Sequence, residues 1–145
     1  MGDIALLIRH AKRANAKDLD LSNKGLTEIP IDIVKLNLLE TINLANNKIN
    51  TLKNLERLPN LREINASNNN ISMLNPEIEE LFVLESICLQ GNPVVNQCPT
   101  LAKISKNQNL LKQAFNSYFN NTPMVVSTAQ YNTQSKLIQS DHEKI

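Results

Sequence analysis

One phrase recurs along the first two thirds of the chain at nearly constant spacing, and nothing else in the sequence restricts the fold as tightly. Leu19-Asp-Leu21-Ser-Asn-Lys-Gly-Leu26 is followed by Ile42-Asn-Leu44-Ala-Asn-Asn47-Lys-Ile49, Ile64-Asn-Ala66-Ser-Asn-Asn69-Asn-Ile71 and Ile87-Cys-Leu89-Gln-Gly-Asn92-Pro-Val94. The steps from Leu21 to Leu44, Ala66 and Leu89 are 23, 22 and 23 residues, so drift amounts to one residue. A period in this range means one small structural unit repeated, each copy burying its apolar face against the next. The predicted architecture is a solenoid.

Within each copy, alternation over the first residues predicts a short strand with the pairs Leu19/Leu21, Ile42/Leu44, Ile64/Ala66 and Ile87/Leu89 turned inward. The rest of each copy carries apolar residues about three apart: Leu26, Ile29, Ile33 and Leu36, then Ile49, Leu52, Leu55 and Leu58, then Ile71, Leu74, Ile78 and Leu81. That spacing suits short helical or 3₁₀ turns on the return side.

The phrase L-x-x-L-x-L-x-x-N-x-L resembles the signature of the leucine-rich-repeat family from about Ala16 to Val94. The resemblance implies an α/β fold, with a parallel sheet on the concave face and helical or 3₁₀ turns on the convex face. It also implies a structural asparagine ladder at Asn47, Asn69 and Asn92, whose amides bond backbone groups of neighbouring coils. The first repeat departs from the pattern with Lys24, which suits a terminal coil with no predecessor to bond. Leu26-Thr-Glu-Ile-Pro30 resembles the 23-residue intracellular subclass. Leu52-Lys-Asn-Leu-Glu-Arg-Leu-Pro-Asn-Leu61 is similar to the 22-residue subclass of phosphatase regulators and several axonemal and spliceosomal proteins. Leu89-Gln-Gly-Asn-Pro93 resembles a terminal repeat, in which proline ends the regular coil.

Four coils leave two apolar end faces that need covers. Ile4, Leu7, Ile8 and Ala11 lie at helical spacing over Asp3 to Ala14, with Asp3 suited to the start and Asn15 to the end. Leu110, Leu111, Ala114, Phe115, Tyr118 and Phe119 predict a second amphipathic helix, holding three of five aromatic residues, to cap the last coil with Val94, Val95, Leu101 and Ile104. The expected organisation is a capping helix over 1–15, four repeats over 16–98, a helical cap over 99–121 and an extended tail over 122–145. The tail has no sustained period, but Tyr131, Leu137 and Ile138 stand in it as apolar anchors for a partner.

The formal charge is +1, with 15 basic and 14 acidic side chains in no long runs, which argues against direct nucleic-acid binding. The basic cluster Arg9, His10, Lys12, Arg13 and Lys17 is better read as complementing a helix C-terminus than as a docking patch for an acidic partner. Two cysteines, Cys88 and Cys98, do not make the cysteine-rich caps of secreted relatives, so a reducing, cytoplasmic setting is expected. No signal peptide or membrane span is expected. The Met-Gly start invites myristoylation, but Leu6 stands where Ser or Thr is preferred.

No catalytic, cofactor or metal site is expected. His10 and His142 lie near opposite ends, Cys88 and Cys98 lack a second pair, and the three glycines form no phosphate loop. Glu79 and Glu80 read as solvated charge rather than as an acid/base pair. The candidate binding surface is the outward face of the strands: Asp18, Thr41, Glu63 and Ser86 in one row, Asp20, Asn43, Asn65 and Cys88 in the next, with Arg62 at the edge. These side chains are small and polar, which suits close approach by a partner and equally suits a sheet kept soluble. The resemblance implies a protein-binding adaptor or structural subunit of a multi-subunit assembly, with the cytoskeleton or a cilium as a home. The alternatives are a regulatory subunit for a phosphatase or small GTPase, or an RNA-processing subunit that binds through protein.

Overall fold

The computed structural model describes residues 2–120. The tail anchors Tyr131, Leu137 and Ile138 lie outside the described residues. Helix α1 (Gly2–Arg13) opens the chain, with Asp3 in its first turn and His10, Lys12 and Arg13 in its last, the charge order that a helix dipole favours. It ends at Asn15, which takes the left-handed conformation at φ 51°. There Ala16 N–H donates to the Ala11 carbonyl and Asn15 N–H to that of Lys12, the paired bonds of a Schellman cap. The chain is thereby turned into the first strand.

Strands β1 (Asp18–Asp20), β2 (Thr41–Asn43), β3 (Glu63–Asn65) and β4 (Ser86–Cys88) pair in parallel and in sequence order, one per coil. The register puts Leu19, Ile42, Ile64 and Ile87 side by side. All four are buried, as are Leu21, Leu44, Ala66 and Leu89 two residues on. The return side is built from 3₁₀ turns at Ile31–Lys35, Leu55–Arg57 and Pro76–Glu80. Each sends an apolar residue inward, Ile33, Leu55 and Ile78, to meet the strand residues across one continuous core.

Between strand and return side the backbone turns sharply, and a second period shows there. Asn23, Asn46, Asn68 and Gly91 all have positive φ, at 57°, 61°, 56° and 84°. Asparagine and glycine are the residue types that enter this region at least cost. At Gly91 a side chain is also excluded by space, because a Cβ would collide with Asn68 Oδ1.

Beside each of the last three of these residues lies a buried asparagine. Asn47 Nδ2 donates to the Leu21 and Leu44 carbonyls, at 2.9 Å each, while its Oδ1 accepts from the backbone of Lys24 and Leu26. Asn69 repeats this with Leu44, Ala66 and Ile49, and Asn92 with Ala66, Leu89 and Ile71. Each amide thus saturates backbone groups of its own coil and of the one before, which burial has cut off from water. Lys24, in the first coil, has no earlier coil to serve, and its backbone N–H is accepted by Asn47.

The last coil has no successor, and its backbone is satisfied differently. In earlier coils Lys48 and Asn70 N–H donate back to Leu26 and Ile49, and Ile49 and Ile71 N–H go to the next coil's asparagine. Pro93 has no N–H, and Val94 N–H takes the backward bond to Ile71 instead. The donor that earlier coils send forward to the next asparagine is thus spent backward.

The C-terminal cover differs from the purely helical one that the sequence pattern predicts. Two 3₁₀ turns, Pro93–Asn96 and Pro99–Ala102, reverse the chain into strand β5 (Lys103–Ile104), which pairs antiparallel with β4. Two residues are too few to show alternation. Helix α2 (Gln108–Asn120) then buries Leu111, Ala114 and Phe115 against the last coil. Tyr118 Oη accepts from Leu74 N–H at 3.1 Å, and Gln108 Nε2 donates to the Phe82 carbonyl at 2.7 Å. The helix is fastened to the third coil near both ends.

Candidate functional site

The outward strand residues line an open groove of about 620 Å³ together with Lys103, Ser105 and Lys106. The first row, Asp18, Thr41, Glu63 and Ser86, is tied together by its own polar contacts. Thr41 Oγ1 donates to Asp18, Lys106 Nζ reaches Glu63 Oε2 at 3.3 Å, and Ser86 Oγ accepts from Lys106 N–H at 2.8 Å. Arg62, at the edge, is paired with Glu85 at 3.1 Å. An arginine so engaged offers a partner less than its residue type suggests, since binding must compete with a neighbour already in place.

The second row is organised by a repeated turn. Asp20 Oδ1 accepts from Ser22 N–H at 2.9 Å, Asn43 Oδ1 from Ala45 N–H at 3.0 Å, and Asn65 Oδ1 from Ser67 N–H at 3.1 Å. A short side chain bonding the backbone two residues on is the Asx turn, which bends the chain out of the strand. Ser22 Oγ adds a second bond to Asp20. The hydroxyl, the backbone N–H and the charge of Lys24 together hold the Asp20 carboxyl below its usual range, in that order of weight. Asp20 therefore stays ionised through mild acid.

Register carries this row across the whole sheet. Asp20 pairs with Asn43, Asn43 with Asn65, Asn65 with Cys88, and Cys88 with Lys103 on the antiparallel strand. Lys103 and Lys106 belong to the groove but not to the repeat, so the repeat pattern could not reveal them. The available signal was the pair of lysines flanking Ile104-Ser105 directly after the last coil.

A parallel strand per coil, a buried asparagine at each internal turn and a 3₁₀ return side repeat with the 22- to 23-residue period, and the family model described as leucine rich repeat matches residues 14–71. The chain folds as a leucine-rich-repeat solenoid. A leucine-rich-repeat protein of Leptospira interrogans of known structure is 20% identical to this chain, with 58% of this chain and 34% of that one covered and a TM-score of 0.32. The match thus spans about a third of that protein's length. A search of curated proteins returns no match.

Repeats of this family serve in general as protein-binding modules. Among the described residues no group of three or more His, Cys, Asp or Glu is placed to hold a metal ion, and no helix is long and apolar enough to cross a membrane. Cys88 is half-buried on the groove, whereas Cys98 is buried, and desolvation pushes its thiol pKa up. Away from the groove, Phe82 and Met73 are the most exposed of the large apolar side chains among the described residues, at 74% and 65%.

Proposed function

We propose that this chain is a non-enzymatic adaptor or structural subunit that binds protein through its concave sheet, and that it works within a larger assembly such as a cytoskeletal or axonemal one. The observation that carries the reading is the second row of the groove. Asp20, Asn43 and Asn65 are pinned by their own turns, yet each lines the open groove. Groups already held in one conformation lose little entropy when a partner arrives, which favours recognition. The assembly itself rests on family analogy.

In this reading Asp18, Asp20, Thr41, Asn43, Arg62, Glu63, Asn65, Ser86 and Cys88 form the contact face, and Tyr131, Leu137 and Ile138 add a second contact from the tail. The test is affinity purification of the full chain beside the double variant Asn43→Arg/Asn65→Arg and a chain ending at Asn121, with bound proteins identified by mass spectrometry. A defined set of proteins that is lost from the double variant is the expected result, with loss from the shortened chain adding the tail. Equal recovery by all three overturns the concave-face reading. Recovery of a single phosphatase or GTPase in place of an assembly turns the proposal into a regulatory subunit.

A further inference from the structure

The groove has a direction. Along the row Asp20, Asn43, Asn65, Cys88 and Lys103 the exposed chemistry runs from carboxylate through two amides and a thiol to an ammonium. Neighbouring strands lie about 4.8 Å apart, so the two charges are separated by roughly 19 Å. Neither is cancelled by an ion pair within the described residues, whereas Glu63 and Lys106 in the adjacent row neutralise each other.

The Asx turns decide which way the amides face. A backbone N–H can only donate, so the oxygens of Asn43 and Asn65 must point at Ala45 and Ser67. Each Nδ2 is then presented to the groove, with no partner among the described residues. The middle of the row offers donors and asks for acceptors.

We propose that the occupant of this row is an extended peptide segment of about six residues, at roughly 3.3 Å each, lying across the strands. It carries a cationic side chain at the Asp20 end, carbonyl acceptors over Asn43 and Asn65, and a carboxylate at the Lys103 end. The inference rests on the concave face being the protein-binding surface and adds what that surface selects.

The experiment selects from a random octapeptide display library on the full chain, and repeats the selection on Asp20→Lys and Lys103→Glu. Both sites are exposed, and thermal unfolding checks that the variants stay folded. Enriched peptides are expected to hold Lys or Arg toward one end and Asp or Glu toward the other, and to lose at least about fivefold in affinity on either variant. Selection on Asp20→Lys should switch to peptides acidic at both ends. Bound peptides should also slow alkylation of Cys88. Peptides that bind the parent and both charge variants equally, yet fail on Asn43→Arg/Asn65→Arg, overturn the inference and leave the concave-face reading standing. Peptides indifferent to that double variant overturn both. Recovery of no peptide overturns the extended-segment inference and leaves binding of a folded partner to the purification test.

Discussion

Asn69 and Asn65 sit four residues apart in the same coil, carry the same amide, and are put to opposite uses. Asn69 is 5% exposed, and its nitrogen and oxygen both end on backbone groups. Asn65 spends its oxygen on Ser67 and leaves its nitrogen to the groove. The same contrast holds for Asn47 against Asn43 one coil earlier. Depth alone separates them: where water is excluded an amide must be fully paired, and where water is present half of it can be held in reserve. The buried row specifies the fold and the half-buried row is free to specify a partner.

The two cysteines give the widest separation between depths. Cys88 on the groove should react with a small alkylating agent in the native protein, while Cys98 should react about a thousandfold more slowly, since its exposure requires opening of the core. Mass spectrometry of timed samples checks this, and equal rates at both sites would break the comparison. Asn69→Ala comes next. It strands the Ile49 N–H, while the Leu44 and Ala66 carbonyls keep bonds from Asn47 and Asn92, so a loss of about 3 kcal/mol is expected in urea unfolding.

Gly91→Ala should cost about 2 kcal/mol, from positive φ and from the collision with Asn68. The penalty should shrink when Asn68→Gly is added, because only the steric part is shared between the two sites. Asn65→Ala is expected to be the mildest in stability, about 0.5 kcal/mol, since a single part-buried bond to Ser67 is lost at the edge of the open groove. Its effect on partner binding should exceed its effect on unfolding. A larger stability loss than Asn69→Ala would invert the assignment of the two rows.

The repeat phrase made most of the fold legible because a period of 22 to 23 residues places every inward side chain before any contact is known. Leu21, Leu44, Ala66 and Leu89 could be assigned to one column by counting, and so could Asn47, Asn69 and Asn92 to one turn. The positive-φ residues just before them, Asn46 and Asn68, were equally periodic, but a second asparagine beside a first reads as redundancy until the backbone shows two different demands. Strand β5 was not legible, since Lys103-Ile104 is shorter than any alternation and owes its conformation to pairing with β4. Half the charge polarity of the groove was hidden with it. The Asx turns also lay outside the pattern, because Asp20, Asn43 and Asn65 announce polarity, while their orientation depends on backbone donors two residues ahead.

Pro93 carries an implication for anyone wishing to lengthen this protein. A consensus unit spliced between the second and third coils would find on both sides the bonding arrangement that internal coils already exchange. Joined after Asn92, the same unit would meet a junction where Pro93 has removed one donor and Val94 has redirected another toward Ile71. Pro93 therefore closes the bonding pattern at the same end that β5 and α2 cover, and an added coil fits more readily from within.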